Sequence, residues 1–216
     1  VSRMTKIAIL GSGPVGAALA KGFLDHGHAV RRASREPAKL DEWRSAAKGE
    51  ASVGTFAEAS AWGELVVLAV KGSVAESLVG DLAQHLAGKP VIDTTNPISD
   101  DKPDHGVLRY FTAQNESLME RLQAKVPAAK FVKAFNSVGN AFMVNPPFQP
   151  QATMFICGND AGAKAQVTEI LTAFGWHTVD FGGAPAARPI EALCQLWCTP
   201  GLNGGSWTHA LRWLSL

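Results

Sequence analysis

The run ILGSGPVGAALA, residues 9–20, constrains the fold of this chain more than any other stretch. A continuous apolar segment, KIAILG (6–11), leads into it, and the helix-forming PVGAALAKGFLDHG leads out, closing on Gly27. Between them Gly11, Gly13 and Gly16 stand at G-x-G-x-x-G spacing, with Ser12, Pro14 and Val15 filling the loop. Gly11 permits a tight strand-to-helix turn, Gly13 carries no side chain to hold a pyrophosphate away, and Gly16 lets helix and strand pack closely. The helix N-terminus then offers free N–H groups to an anion. Alone, this spacing says little; between a strand and a helix it has the context a dinucleotide loop needs.

The rest of the chain repeats the alternation. HAVRRAS (28–34) reads as a second strand and PAKLDEWRSAAKG as a second helix, with Pro37 suited to a first turn. ELVVLAV (64–70) is a strongly apolar strand, fourth in the count, followed by the helical SVAESLVGDLAQHLAG and a fifth strand, KPVIDTT (89–95). NPISDDKPDHG is polar and proline-containing, a loop at the carboxyl edge of the sheet. A helix over about 115–125 precedes the strand KFVKAFN (130–136), and NAFMVNPPFQPQ is irregular. ATMFICG, DAGAKAQVTEILTAFG and WHTVDFG form a last β-α-β unit. Helices over about 185–198 and 203–214 finish the chain, the second placing Trp207, Leu211 and Leu214 near one face for core packing or a subunit contact. Short apolar runs joined by helices predict an α/β fold: a Rossmann-type, doubly wound, mainly parallel sheet with a small C-terminal α/β extension. The expected division is a dinucleotide-binding domain over 1–128 and a smaller region over 129–216 that extends the sheet and closes a pocket.

Composition narrows the partners. With 216 residues, 46% hydrophobic and 18% charged, the chain reads as an ordinary soluble globular protein that needs no disulfide or metal. A net charge of +1 makes no case for nucleic acid or an acidic membrane surface. No apolar run approaches the roughly twenty residues of a membrane span, and VSRMTKIAIL opens into a strand rather than a signal peptide. The cysteines are odd in number; Cys194 and Cys198 have no histidines at ligand spacing, so buried thiols are expected and a metal site is not. Reduced cysteines point to the cytoplasm.

About twenty residues beyond the glycine loop lies ASREPAKL (33–40), where an NAD site carries a carboxylate for the ribose 2′-hydroxyl. Here Ser34, Arg35 and Lys39 stand instead, and all three can donate to the 2′-phosphate of NADP(H). Charge-assisted hydrogen bonds contribute about 1.5–3 kcal/mol each, so two would favour NADP over NAD by roughly a hundredfold or more. The other reading makes Ser34 a helix cap and leaves Arg35 and Lys39 solvated. Ligands of open parallel sheets bind beyond the carboxyl ends of the strands. That rule nominates Ala69, Val70 and Lys71, then Thr95, Asn96 and Pro97, then Ala134, Phe135 and Asn136. Asn96 suits a carboxamide or sugar hydroxyl, or else stabilises its loop; Phe135 stacks near a ring or packs in the core; Lys71 faces the nucleotide or only solvent. Arg188 and Glu191 open a helix after DFGGAPAA, capping it or holding an acceptor's edge. His105 and His177 are isolated, and no G-x-S-x-G, H-E-x-x-H or triad is present, so no catalytic residue is nominated.

Taken in order, GSGPVG, SREPAKL, VIDTTNP, KAFNSVG and DFGGAPAARPIEAL resemble the NADP-dependent deazaflavin (coenzyme F-420) reductases and their bacterial relatives, over most of the chain. A further similarity is to the cytosolic reductase domain of the STEAP metalloreductases. The resemblance implies pyrophosphate and 2′-phosphate contacts at residues 11–16 and at Ser34, Arg35 and Lys39. It also implies hydride transfer between NADPH and a planar small-molecule acceptor, a deazaflavin or flavin, with a small C-terminal region helping to close the pocket; the strand ends and the helix after DFGGAPAA offer Thr95, Phe135, Asn136 and Arg188 for that acceptor. Such chemistry is carried by the cofactor and needs no protein nucleophile. The chain departs from the archaeal enzymes at Thr94–Pro97 and at Phe135–Ser137, and it carries Arg31 and Arg32 where aliphatic residues are usual. Those two arginines either reach the adenosine side or extend to solvent. Two other readings stand beside this one. An imine or β-hydroxyacid reductase shares the loop and sheet but normally adds a long helical domain, and only about thirty residues follow DFGG. A non-catalytic NADP(H) redox sensor would bind without turnover. A homodimer is expected from the terminal tryptophans.

Overall fold

Strands that are apolar on both faces need layers above and below, and here they have them. The computed structural model describes residues 4–215. Its first half comprises β1 (Lys6–Leu10), α1 (Pro14–Asp25), β2 (Ala29–Ala33), α2 (Asp41–Ala46), β3 (Ala51–Gly54), α3 (Phe56–Trp62), β4 (Leu65–Leu68), α4 (Gly72–Asp81), α5 (Ala83–Leu86) and β5 (Pro90–Asp93). The second half comprises α6 (Leu118–Lys125), β6 (Lys130–Lys133), β7 (Thr153–Gly158), α7 (Ala161–Ala173), β8 (His177–Asp180) and α8 (Ala187–Leu202). The strands form one sheet in the order β3-β2-β1-β4-β5-β6-β7-β8. Neighbours from β3 to β6 are parallel; β7 runs antiparallel to β6 and parallel to β8. This is the doubly wound, mainly parallel sheet that the alternation predicts. Its order reverses between β1 and β4, which opens a crevice at their carboxyl ends.

Two apolar layers hold the sheet. Leu19, Ala20 and Phe23 of α1, with Val167 and Leu171 of α7, cover Ile7, Ile9, Val30, Leu65 and Val67. On the opposite face Ala75 and Val79 of α4, Leu118 and Leu122 of α6, and Ile190 of α8 cover Ala8, Leu10, Val66 and Leu68. Both layers draw on residues from either side of position 128. Capping boxes fix two helix starts, Thr55 with Glu58 at α3 and Ser117 with Glu120 at α6.

The structure departs from expectation mainly at the C-terminus. Residues 203–214 form no helix: α8 runs on to Leu202, and Gly204 and Gly205 then turn the chain. The tail lies against β7, where Thr153 N–H donates to the Leu211 carbonyl at 2.8 Å and Trp213 N–H donates to Thr153 Oγ1 at 3.0 Å. Trp213 meets Phe155 and Phe181 edge-on, while Trp207 and Leu214 stay exposed. The expected helix after β4 is broken at Leu82 into α4 and α5, and the second helix begins as a 3₁₀ turn over Pro37–Leu40. Residues 51–54 carry no apolar run that would mark a strand; pairing with β2 makes them the edge strand β3.

Candidate functional site

The glycine loop has the three properties its spacing requires. Gly11 sits at φ +151°, and a Cβ there would stand 2.1 Å from the Ala69 carbonyl oxygen. A Cβ at Gly16 would lie 2.7 Å from the Gly11 carbonyl, so α1 packs against the turn only because residue 16 has none. At Gly13 a Cβ would meet nothing within 4 Å: the space above the loop is open. Gly13 is the N-cap of α1, Pro14 follows it, and no acidic residue stands in the first turn. An open approach to an uncapped helix N-terminus fits a phosphate.

Beside the loop, a cleft of about 330 Å³ lies over the ends of β1, β4 and β5. It brings together Val15, Ala69, Val70, Lys71, Thr95 and Asn96 of the nominated residues, and adds Gly72, Ser73, Thr94, Ile98, Ser99 and Asp100. Pro97 is buried instead, its carbonyl accepting the Phe111 N–H at 2.9 Å. Asn96 is held from below: its Nδ2 donates to the Asn136 carbonyl at 2.9 Å, and its Oδ1 accepts from Asn136 Nδ2 at 3.1 Å. Asn136 Nδ2 also donates to the Ile190 carbonyl at 2.9 Å, so Asn136 is buried behind Asn96 rather than on the cleft.

Ser34, Arg35 and Lys39 follow β2, one strand beyond the crevice. Ser34 Oγ accepts the Glu36 N–H at 3.1 Å, which closes a local turn and caps no helix. Arg35 is exposed; Lys39 Nζ donates to Glu36 at 2.8 Å. Its hydrogen bond and charge, with Arg35 nearby, hold the Glu36 carboxyl below its usual range. An exposed pair of this kind exchanges readily for a stronger anion. Of the two arginines of β2, Arg32 is buried and Arg31 is partly buried. Arg31 donates to Ser52 Oγ at 3.1 Å with its guanidinium 4.6 Å from the Trp62 ring centre. Arg32 is 2% exposed, 4.9 Å from the Trp43 ring centre, and donates to the Gly13 carbonyl at 3.3 Å.

Under the cleft lies a buried ionic cluster that no sequence motif marks. Lys133 of β6 is fully buried; its Nζ pairs with Asp93 of β5 at 2.7 Å and Glu191 of α8 at 2.9 Å, and donates to the Thr95 carbonyl at 2.7 Å. Burial alone would push its pKa down, but the two carboxylates outweigh that and hold it above the ordinary lysine value. Asp93 in turn accepts from Thr95 Oγ1 at 2.6 Å and Thr95 N–H at 2.9 Å, fixing the cleft residue Thr95. Glu191 accepts the N–H groups of Leu118 and Met119, at 2.9 and 3.0 Å, so it caps α6 rather than its own helix. The signal in the sequence was a charge inside each of two apolar strand runs, VID and FVK, which burial permits only in pairs.

Two further nominations, Phe135 and Arg188, also lie off the cleft. Phe135 sits at φ +63° with its side chain in the core, 6.3 Å from the Phe174 ring centre, because β6 ends there and the backbone turns it inward. Arg188 clamps Glu120 with contacts of 2.9 and 2.7 Å, tying α8 to α6, and neither caps a helix nor faces the cleft. His105 lies in an exposed loop and His177 on the edge strand β8, 3.1 Å from Thr153 Oγ1. Among the described residues, no histidine, cysteine or glutamate lines the cleft, and its ionisable residues are Lys71 and Asp100.

Comparison with known proteins agrees with this geometry. Residues 6–97 match the family described as NADP oxidoreductase, coenzyme F420-dependent. The crystal structure of a candidate F420-dependent NADP-reductase from Arthrobacter sp. FB24 superposes with a TM-score of 0.89 at 31% identity, covering 98% of this chain and 100% of that one. The metalloreductase STEAP3 of Rattus norvegicus is 31% identical over 91% of this chain and 38% of its own length. The F420-dependent NADP reductase of Methanocaldococcus jannaschii is 28% identical over 68% of this chain and 65% of its own. The chain thus spans less than two thirds of either curated relative.

Proposed function

This chain belongs to the family of coenzyme F420-dependent NADP oxidoreductases, and from that premise we propose that it transfers hydride between NADP(H) and a planar acceptor, a deazaflavin or a flavin. The observation that carries the reading is the glycine loop at the β1/β4 crossover, open above Gly13 and continuous with the cleft. The nicotinamide supplies the hydride. The chain's own residues bind and orient: the α1 N-terminus takes the pyrophosphate, and Ser34, Arg35 and Lys39 take the 2′-phosphate. Val15, Ala69, Val70 and Ile98 supply the apolar surface of the cleft. Thr95 and Asn96, locked by Asp93 and Asn136, present fixed polar groups to a carboxamide or ring edge. Holding two rings with reacting atoms roughly 3–3.5 Å apart is what such a cleft contributes to the rate. Arg188 and Phe135 have no part in it.

Mixing the chain and NADPH with coenzyme F420, flavin mononucleotide or a cyclic imine, and following the near-ultraviolet absorbance of NADPH, tests the proposal. Oxidation with the deazaflavin or flavin is expected. Turnover of the imine alone would select an imine reductase, and tight binding without turnover a redox sensor. We further propose a homodimer in the cytoplasm. The dimer rests on Leu196, Trp207, Trp213 and Leu214, all 44% or more exposed; a sedimentation mass of one chain would refute it. The compartment rests on three free thiols and would be refuted by fractionation of the tagged protein elsewhere. Among the described residues, no helix is long and apolar enough to cross a membrane.

A further inference from the structure

Arg32 is a buried cation without a counter-charge. It is 2% exposed and forms no ion pair among the described residues, whereas the other buried cation, Lys133, touches two carboxylates. Its one hydrogen bond is the 3.3 Å contact to the Gly13 carbonyl, and its Nε is buried with no acceptor at all. Desolvation holds its pKa below the usual arginine value, the sign of a charge lacking a partner. Folding keeps such a charge only where something offsets it. The Trp43 face, 4.9 Å away, steadies the guanidinium but neutralises nothing.

Its surroundings identify the missing anion. Arg32 pairs with Ile9 across β2 and β1, directly below the glycine loop. Ser34 is two residues on, so it shares the face of β2 that carries Arg32. The guanidinium therefore lies between the loop that begins α1 and the loop that carries Ser34, Arg35 and Lys39. The α1 N-terminus answers a pyrophosphate with its own N–H groups; a phosphate beside Ser34 would have no such helix end, which leaves Arg32 as its buried partner. Resting on the NADP(H) reading above, we propose that Arg32 is a specificity-determining residue, the buried cation that answers the 2′-phosphate of NADP(H) from beneath the exposed Arg35 and Lys39. Trp43 fixes the plane of the guanidinium in advance, so little ordering remains on binding. In this low-dielectric position the charge discriminates between a phosphate and a hydroxyl more strongly than its exposed neighbours do.

Calorimetric titration of the full chain and of Arg32→Met with NADP+, NAD+, adenosine 2′,5′-bisphosphate and ADP tests this. Methionine keeps an unbranched stem against Trp43 and removes the charge. The expected result is about a tenfold loss of affinity, the loss of one charged hydrogen bond, for the two ligands bearing a 2′-phosphate, with NAD+ and ADP unchanged. Equal losses on all four would assign Arg32 to the 5′-phosphate that they share and overturn the proposal. So would unchanged binding of all four. Should the wild-type chain itself bind NAD+ as tightly as NADP+, the cofactor reading fails first, and that outcome is distinct from any result with the variant. A measurement on the wild-type chain stands if Arg32→Met does not fold. The Arg32 Nε–H resonance should shift with adenosine 2′,5′-bisphosphate and not with ADP; no shift would overturn the assignment.

Discussion

At Gly13 and Gly11 the same chemical change has opposite consequences. Gly13→Ala adds a methyl to open space at an N-cap, where alanine is poorer than glycine by under about 1 kcal/mol. The added Cβ stands where a pyrophosphate would approach, so the variant should unfold near the wild-type temperature yet bind the dinucleotide at least tenfold more weakly. Gly11→Ala drives a Cβ to 2.1 Å from the Ala69 carbonyl at φ +151°, and should lower the melting temperature outright. Equal melting temperatures for the two variants would contradict this division of roles. Lys133 gives a second test. Lys133→Met leaves Asp93 and Glu191 buried without their cation and should destabilise by about 3–5 kcal/mol in urea denaturation. The sign with pH follows from its raised pKa. The native state holds the proton more tightly than the unfolded chain, so the stabilisation is complete below the ordinary lysine value of 10.5 and is lost as pH climbs through the higher folded value. A urea midpoint in wild type that rises above that pH would contradict the assignment. The glycines were legible because their spacing, set between a strand and a helix, dictates their geometry. Lys133 was not, since a strand reads as apolar until its partners, 40 and 58 residues away in Asp93 and Glu191, are brought beside it.

At the scale of elements, strands were read more reliably than helix ends. ELVVLAV and KIAILG are apolar without interruption, a pattern that only the middle of a covered sheet explains. The tail failed for the opposite reason. Trp207, Leu211 and Leu214 fall at helical spacing, yet Gly204 and Gly205 precede them and β7 offers Thr153 as a partner for the tail's backbone. Tertiary pairing therefore overrode a local pattern. Trp213 covers Phe155 and Phe181, so Trp213→Ala should cost about 1–2 kcal/mol, less than a fully buried tryptophan because half of it is exposed. A variant as stable as wild type in thermal unfolding would mean the tail does not hold this position. The Arg188–Glu120 clamp and the Glu191 cap of α6 were illegible in the same way. Both join elements distant in sequence, and the local reading gave the two residues only to their own helix.

For the whole molecule, the fold sets the division of labour. The parallel strands β1 to β6 end on one edge, and the reversal between β1 and β4 separates the glycine loop from a cleft over β4 and β5. The geometry of the glycine loop was readable from sequence, because a tight turn and close helix packing call for glycine at fixed offsets. The acceptor half of that edge was not. Its lining includes small and apolar residues, and two residues nominated for it, Phe135 and Arg188, turned out to serve the core and a helix clamp. We propose that the loop of Gly11–Gly16 holds the pyrophosphate common to both dinucleotides while the residues after β2 select the 2′-phosphorylated one. Titrating the full chain with NADPH and with NADH at one ionic strength tests it most directly. NADPH should bind more tightly by roughly a hundredfold, two charge-assisted hydrogen bonds' worth; equal affinities, or a preference for NADH, would overturn this assignment.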